Sequence, residues 1–252
     1  MTGKRTANFQ FYNSVSPRYV EPLFLQLEVD VWYTSTELQQ QLRDSGLDVQ
    51  GKEIIQGNTT FWEKTGLGEV QRQKPGLPNL FRLNPFGKQV AELYSTNRAL
   101  FFDVMHHLFY SAWRRSRHIN HAPLWLYAQV CDALWQDAPG RMDSMRLTAH
   151  LQSESHQTFP DQNPVFPERS VRAVFPWLGE LSPPFLSPCG SKSDLCSARR
   201  RYCTPQLFHL AVDLAYHEAG LGYGTSLAID DRQIEAISRT CLLDTGRFWD
   251  MA

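Results

Sequence analysis

Between Thr34 and Leu93 the capping and turn-forming residues recur at intervals that leave room for one succession of short elements. Thr36-Glu-Leu-Gln39 has the form of a capping box, with Thr36 as N-cap and Gln39 reaching back to its backbone N–H. Leu38 and Leu42 lie one turn apart on a single helical face, and Gly46 supplies a left-handed stop. A second helical run extends from Gly51 to about Lys64, with Ile54, Ile55 and Trp62 inward and Lys52, Gln56, Asn58, Thr59 and Lys64 outward. Gly57 in that run costs about 1 kcal/mol relative to alanine, which marks a kink, a close approach or a shorter helix. Glu69-Val-Gln-Arg-Gln73 then reads as extended, Lys74-Pro-Gly-Leu-Pro78 as a turn, and Leu80-Phe-Arg-Leu83 as a returning strand. Asn84-Pro85 opens a closing helix, Phe86 to Leu93, with proline at its first position. Two helices, a hairpin and a closing helix in this order build a winged helix-turn-helix with a small β-wing. Such a module lays its second helix in the major groove of DNA and touches the backbone with the wing. It also serves elsewhere as a protein-docking module, because fold alone does not set function.

A domain boundary is expected near residue 95, with a winged-helix domain over 1–95 and a helical domain over 96–252. Apolar residues make up 42% of the 252, and seven Trp and fifteen Phe supply enough bulk for two cores. The formal net charge of −1 excludes a chain that is basic throughout, so DNA contact needs a local patch. No apolar run approaches the roughly 18–20 residues that cross a bilayer. The start, Met1-Thr-Gly-Lys-Arg5, leads into polar and aromatic residues rather than a signal sequence. Five cysteines, an odd number, suit a reducing cytoplasm better than a disulfide framework.

Past residue 95 the pattern is helical and aromatic. Leu100, Phe101, Val104, Leu108, Phe109, Ala112 and Trp113 recur at spacings of three and four, and Leu126, Val130, Leu134 and Trp135 repeat the pattern. The two runs read as an antiparallel helical pair. The link between them, Arg114 to His121, holds Arg114, Arg115 and Arg117 and is the most basic window of the chain. It can contact phosphates, or merely cap a helix whose C-terminal dipole favours cations. A second helix-turn-helix can be drawn from Met142 to Leu181, with Asp143 or Ser144 as a cap. Its second helix, from Pro167 to Phe175, holds Val171, Val174 and Phe175 inward and Arg169 and Arg172 outward, and Pro176 must end or kink it. Two outward arginines are compatible with reading DNA, but an ordinary solvated face is the favoured expectation.

Cys189, Cys196 and Cys203 recur at every seventh residue, and His209 follows near the start of a helix opened by Thr204-Pro205. Three thiolates and an imidazole would make a tetrahedral structural zinc site pinning the loop near 187–204. The spacing is not that of the common short zinc knuckles, and three metal-free thiols are the competing expectation. Cys131 and Cys241 fall in apolar helical surroundings and are expected in the core, while Arg199-Arg-Arg201 is expected on the surface. His209 and His217 share a helical face, and Gly220-Leu-Gly-Tyr-Gly-Thr225 has glycines in turn company. No nucleophile elbow, metalloprotease pair, phosphate-cradling glycine loop or kinase set is present, so no catalytic residue and no cofactor beyond structural zinc is assigned.

In the order of these elements, and in the short motifs Trp62-Glu-Lys-Thr-Gly-Leu67, Leu83-Asn-Pro-Phe-Gly-Lys-Gln-Val-Ala-Glu-Leu93, Leu124-Trp-Leu-Tyr127, Ser170-Val-Arg-Ala-Val-Phe175 and Leu243-Asp-Thr-Gly-Arg-Phe248, the chain resembles a poorly characterised bacterial family. That family is encoded beside DNA phosphorothioation, other DNA-modification and phage-defence genes. The resemblance implies a defence-associated accessory protein that touches DNA, and it carries over no site residue. The resulting expectation is a cytoplasmic, mostly α, non-enzymatic subunit that contacts duplex DNA and does not enter a membrane. Its contacts would be Lys52, Gln56, Asn58, Thr59, Lys64, Arg72, Lys74, Arg114, Arg115, Arg117, Arg169 and Arg172. An adaptor within a multi-protein defence complex is the alternative, and a nuclease with scattered acidic residues comes third.

Overall fold

A computed structural model describes residues 9–11, 15–19, 23, 27–44, 46, 60–74, 77–190, 194–222, 224–226 and 228–252. The protein is mostly helical, and among the described residues its few strands form two small antiparallel sheets. It divides into two compact units, one over Tyr12–Phe101 and the other over Met1–Phe11 with Phe102–Ala252. Thus residues 1–11 belong with the helical body, and the division falls a few residues beyond 95.

In the Tyr12–Phe101 unit, strand β1 (Tyr33–Thr34) leads directly into helix α1 (Ser35–Asp44). The helix is capped two residues earlier than the Thr36–Gln39 box. Thr34 Oγ1 accepts from the Glu37 N–H at 3.2 Å, and Glu37 Oε2 accepts from the Thr34 N–H at 2.6 Å. A carboxylate is a stronger acceptor than an amide, so Thr34-x-x-Glu37 wins the reciprocal pairing. Leu38 and Leu42 are fully buried on one face, and Gly46 adopts φ +79° as the stop.

Residues 60–65 are helical and end in a Schellman arrangement: Gly66 (φ +74°) donates to Glu63 O and Leu67 donates to Trp62 O. Strand β2 (Gly68–Gln71) follows, pairing antiparallel with β3 (Leu80–Leu83), whose other edge pairs with β1. The sheet order is β1-β3-β2. Phe61, Trp62, Leu67, Phe81 and Leu83 form its core. Helix α2 (Pro85–Thr96) starts on Asn84, whose Oδ1 accepts from the Gly87 N–H at 2.8 Å while its Nδ2 donates to Gly66 O at 2.9 Å. Gly87 is obligatory here: a Cβ would lie 1.9 Å from the carbonyl oxygen of Leu67.

Helix α3 (Arg98–Ser116) carries the division between the units. In the helical unit, α4 (Ala122–Asp137) is buried almost all round, as a central helix should be. Phe102, Met105, Phe109, Tyr110 and Trp113 of α3 are buried as well. Phe109 packs edge-on to Trp177 at 4.8 Å, and Phe9 packs on Phe159 at 4.8 Å and Trp125 at 6.0 Å. Strand β4 (Gly140–Arg141) precedes α5 (Ser144–Thr158), which Asp143 caps by accepting from Met145 and Arg146 N–H.

In place of one helix from Pro167 to Phe175 there are two five-residue helices, α6 (Glu168–Arg172) and α7 (Phe175–Gly179). Pro167 and Pro176 set both starts, since proline fits only a first turn. Neither is long enough to serve as the second helix of the helix-turn-helix drawn over Met142–Leu181. Val171, Val174 and Phe175 are buried, as the pattern requires.

Strands β5 (Leu186–Pro188) and β6 (Leu195–Ser197) complete a second sheet of order β4-β6-β5. Helices α8 (Pro205–Glu218) and α9 (Asp231–Cys241) then pack on each other through Leu207, Phe208, Ala211 and Ile237, and α10 (Phe248–Met251) closes the cluster.

Candidate nucleic-acid interface

Four of the residues proposed to meet DNA, Lys52, Gln56, Asn58 and Thr59, lie outside the described residues. Those that follow are placed. Lys64 sits on the helical turn before Gly66 and is only partly exposed. Burial pushes its ammonium from 10.5 down to about 8, against the pull of Glu63. Arg72, just past β2, is exposed but bidentate to Glu63, with Nη1 donating to Oε1 at 2.9 Å and Nη2 to Oε2 at 2.7 Å. Lys74 is exposed in the β2–β3 connection, where Leu77 N donates to its carbonyl oxygen at 3.0 Å.

Arg82, absent from the proposed contacts, lies beside these on β3. It bridges Glu69 at 2.9 Å and Asp30 at 3.3 Å and lies 4.7 Å over the ring of Trp32. The alternation in Leu80-Phe-Arg-Leu83 already turns Arg82 opposite to Phe81, which was the signal for it. The stretch Tyr12–Phe101 holds nine Lys or Arg against ten Asp or Glu. Its cations on the sheet side are therefore matched by carboxylates rather than gathered into a bare basic stripe.

The arginines of the helical unit do not act as one group. Arg114 is committed: it donates to Asp132 Oδ2 at 2.6 Å, to Glu218 Oε1 at 3.1 Å and to the Tyr110 hydroxyl oxygen at 2.9 Å. Its side chain is only 20% exposed, and Tyr110 completes the network by donating to Asp132 Oδ1 at 2.6 Å. It is a cross-brace of α3, α4 and α8, and the phosphate role drawn for it is corrected. Arg115 pairs with Asp213 at 2.7 Å and remains 37% exposed. Arg117 is exposed at φ 48°, and its N–H donates to Trp113 O as the α3 stop. Arg169 and Arg172 are exposed on α6.

The zinc site is overturned. Cys189 and Cys196 are joined in a disulfide, with their Cα atoms 5.7 Å apart. The β5–β6 register places Ser187 opposite Cys196, and Cys189 N donates to Asp194 O at 2.9 Å, so the hairpin itself brings the two thiols together. Cys203 is 5% exposed in the core beside α8 and α9, whereas His209 is exposed. No cluster of three or more metal-ligating His, Cys, Asp or Glu occurs among the described residues. With two cysteines bonded, the cysteine count ceases to argue for a reducing compartment. Cys131, Cys203 and Cys241 are free and buried.

Arg200, expected on the surface, is fully buried. It meets Asp103 of α3 at 2.8 Å and donates to Ser182 O at 2.8 Å and Cys241 O at 3.3 Å. The second Asp103 oxygen accepts from the Thr204 N–H at the start of α8. His106 donates from Nε2 to Thr240 O at 2.9 Å, so its Nδ1 accepts from the Tyr127 hydroxyl at 3.0 Å. This polar core is sealed from ligands and holds the fold together.

No helix among the described residues is long and apolar enough to cross a membrane. Comparison of the chain with protein-family models, with curated proteins and with solved structures finds no match.

Proposed function

We propose that Tyr12–Phe101 is a winged helix-turn-helix and that the protein is a non-enzymatic subunit that contacts duplex DNA through it. The observation that carries the reading is the sheet order β1-β3-β2, with α1 between the first two strands and a helical turn leading straight into the hairpin. In a module of that order the helix before β2 enters the major groove and the β2–β3 connection lies along the phosphates. Lys74 on that connection and Lys52 on the preceding segment are the first phosphate contacts, with Lys64 and Arg72 recruited when Glu63 gives way to a stronger anion. The resemblance to the defence-associated family adds a place for such a subunit, beside the enzymes that modify or survey DNA.

One observation favours the alternative, a docking module for another subunit. The pairing of Arg72 with Glu63 and of Arg82 with Glu69 and Asp30 leaves a surface of alternating sign, which suits a protein partner. Glu63→Gln separates the two. On a DNA surface it releases Arg72 and removes a repelling carboxylate, so affinity for a duplex should rise and the salt dependence should steepen by about one contact. Fluorescence anisotropy with a labelled duplex reads both. Unchanged or weaker binding in Glu63→Gln would favour the docking module.

A further inference from the structure

A cleft of about 500 Å³ opens in the helical unit along α8 and the glycine turn that follows it. Arg115, His209, Asp213, Tyr216 and His217 line one side. Residues 209, 213 and 217 are spaced by four, so α8 presents them as a single ridge. Gly222 and Gly224 line the other side. Neither has any atom within 4 Å of where a Cβ would stand, and neither N–H makes a hydrogen bond among the described residues. Leu221 N donates to Tyr216 O, and Thr225 donates to Gly222 O through both N–H and Oγ1.

The donors here are more numerous than the groups that use them. Arg115 spends one N–H on Asp213, and its remaining N–H groups have no partner among the described residues. His209 and His217 are exposed imidazoles. A guanidinium, imidazoles and free glycine amides make an oxyanion site, and a planar guanidinium suits phosphate in particular. The size of the cleft exceeds what a bare ion fills and falls in the range of small-molecule sites. The flat faces of His209 and His217, both exposed, supply stacking surface for a ring.

We propose that this cleft binds a small molecule that joins a phosphate group to a flat ring, of mononucleotide size. The phosphate is held by Arg115 and the Gly222 and Gly224 amides, and the ring lies against the α8 ridge. The site is independent of the DNA reading, since none of its residues lies in the Tyr12–Phe101 unit.

Equilibrium dialysis of the full chain against adenosine monophosphate, ribose 5-phosphate and inorganic phosphate tests it. Adenosine monophosphate should bind most tightly. Arg115→Gln and His209→Ala, both at exposed positions and checked by circular dichroism for an unchanged fold, should each weaken it by about tenfold, the loss expected for a charge-assisted or ring contact. Arg43→Ala, at an exposed position of α1 in the other unit, should leave it unchanged. No binding of adenosine monophosphate to the folded protein would overturn the proposal, as would binding indifferent to both substitutions. Equal affinity for ribose 5-phosphate would overturn the ring contact.

Discussion

Arg200 and Asp103 show how a residue's neighbours in space can reverse what its neighbours in sequence suggest. Within Arg199-Arg-Arg201 the charge run reads as a solvated face, and Arg199 and Arg201 follow that expectation in part, but Arg200 is sealed in the core. The buried charge is offset by Asp103, by the carbonyl oxygens of Ser182 and Cys241 and by the Thr204 N–H on the far Asp103 oxygen, while Arg200 Nε is left without a hydrogen-bond partner among the described residues. The two adjacent histidines follow the same logic in neutral form. Burial is the main cause that pushes His106 down to about 4 and His107 to about 3, from 6.5. The unfolded chain therefore takes up protons first as the pH falls below 6.5. Stability present above 6.5 is lost progressively towards pH 3–4. Between about pH 6.5 and 5, above the ordinary carboxylate range, the melting temperature should already fall, and His107→Gln should flatten that slope. A wild-type melting temperature constant across this window would contradict the assignment of His106 and His107 as buried and neutral.

At the scale of elements, much of the Tyr12–Phe101 unit is legible because local chemistry decides it. Gly66 and Gly46 stop helices by left-handed geometry, Asn84-Pro85 starts one, and the alternation in Leu80–Leu83 sets a strand. The cap of α1 moved to Thr34–Glu37 since two overlapping boxes compete and sequence spacing does not rank their hydrogen bonds. The short strands β4, β5 and β6 were not legible at all: two or three residues carry no alternation, and their pairing is long-range. The disulfide was missed for the same reason, because a spacing of seven fits a metal loop, a free loop or a hairpin until the register is known. Of the proposed DNA contacts, exposure of Lys74, Arg169 and Arg172 followed from pattern, whereas the capture of Arg114 by Asp132 and Glu218 depends on three helices meeting. Gly87 offers a test of the base of the hairpin. Gly87→Ala drives a Cβ into the Leu67 carbonyl, so it should destabilise by about 1–3 kcal/mol or more in urea denaturation. An unchanged midpoint would mean that α2 does not pack on the Gly66–Leu67 turn as described.

For the whole molecule, the sequence order of elements and the division into units do not coincide. Phe9 and Phe11 belong to the helical unit, where Phe11 packs against Phe109 at 5.7 Å and Tyr127 at 5.4 Å. A pair of aromatic residues near the start of a chain has no periodicity to reveal its destination, so a boundary drawn by composition at 95 assigns them wrongly. Trp113, Trp125 and Trp135 are all buried, so the helical body uses these tryptophans as core. Function on this reading is divided as the structure is, with macromolecular contact assigned to Tyr12–Phe101 and a small-ligand cleft to the helical unit.

If the Tyr12–Phe101 unit meets DNA phosphates, its duplex binding must weaken as salt rises. The full protein should bind a labelled duplex with an affinity that falls linearly in log–log form as salt rises. Lys52→Ala with Lys74→Ala should lower the slope by about two contacts, each worth about 0.9. Saturable binding with that loss of slope is the result expected. Absence of duplex binding at low salt, or a slope identical in the double variant, would contradict it.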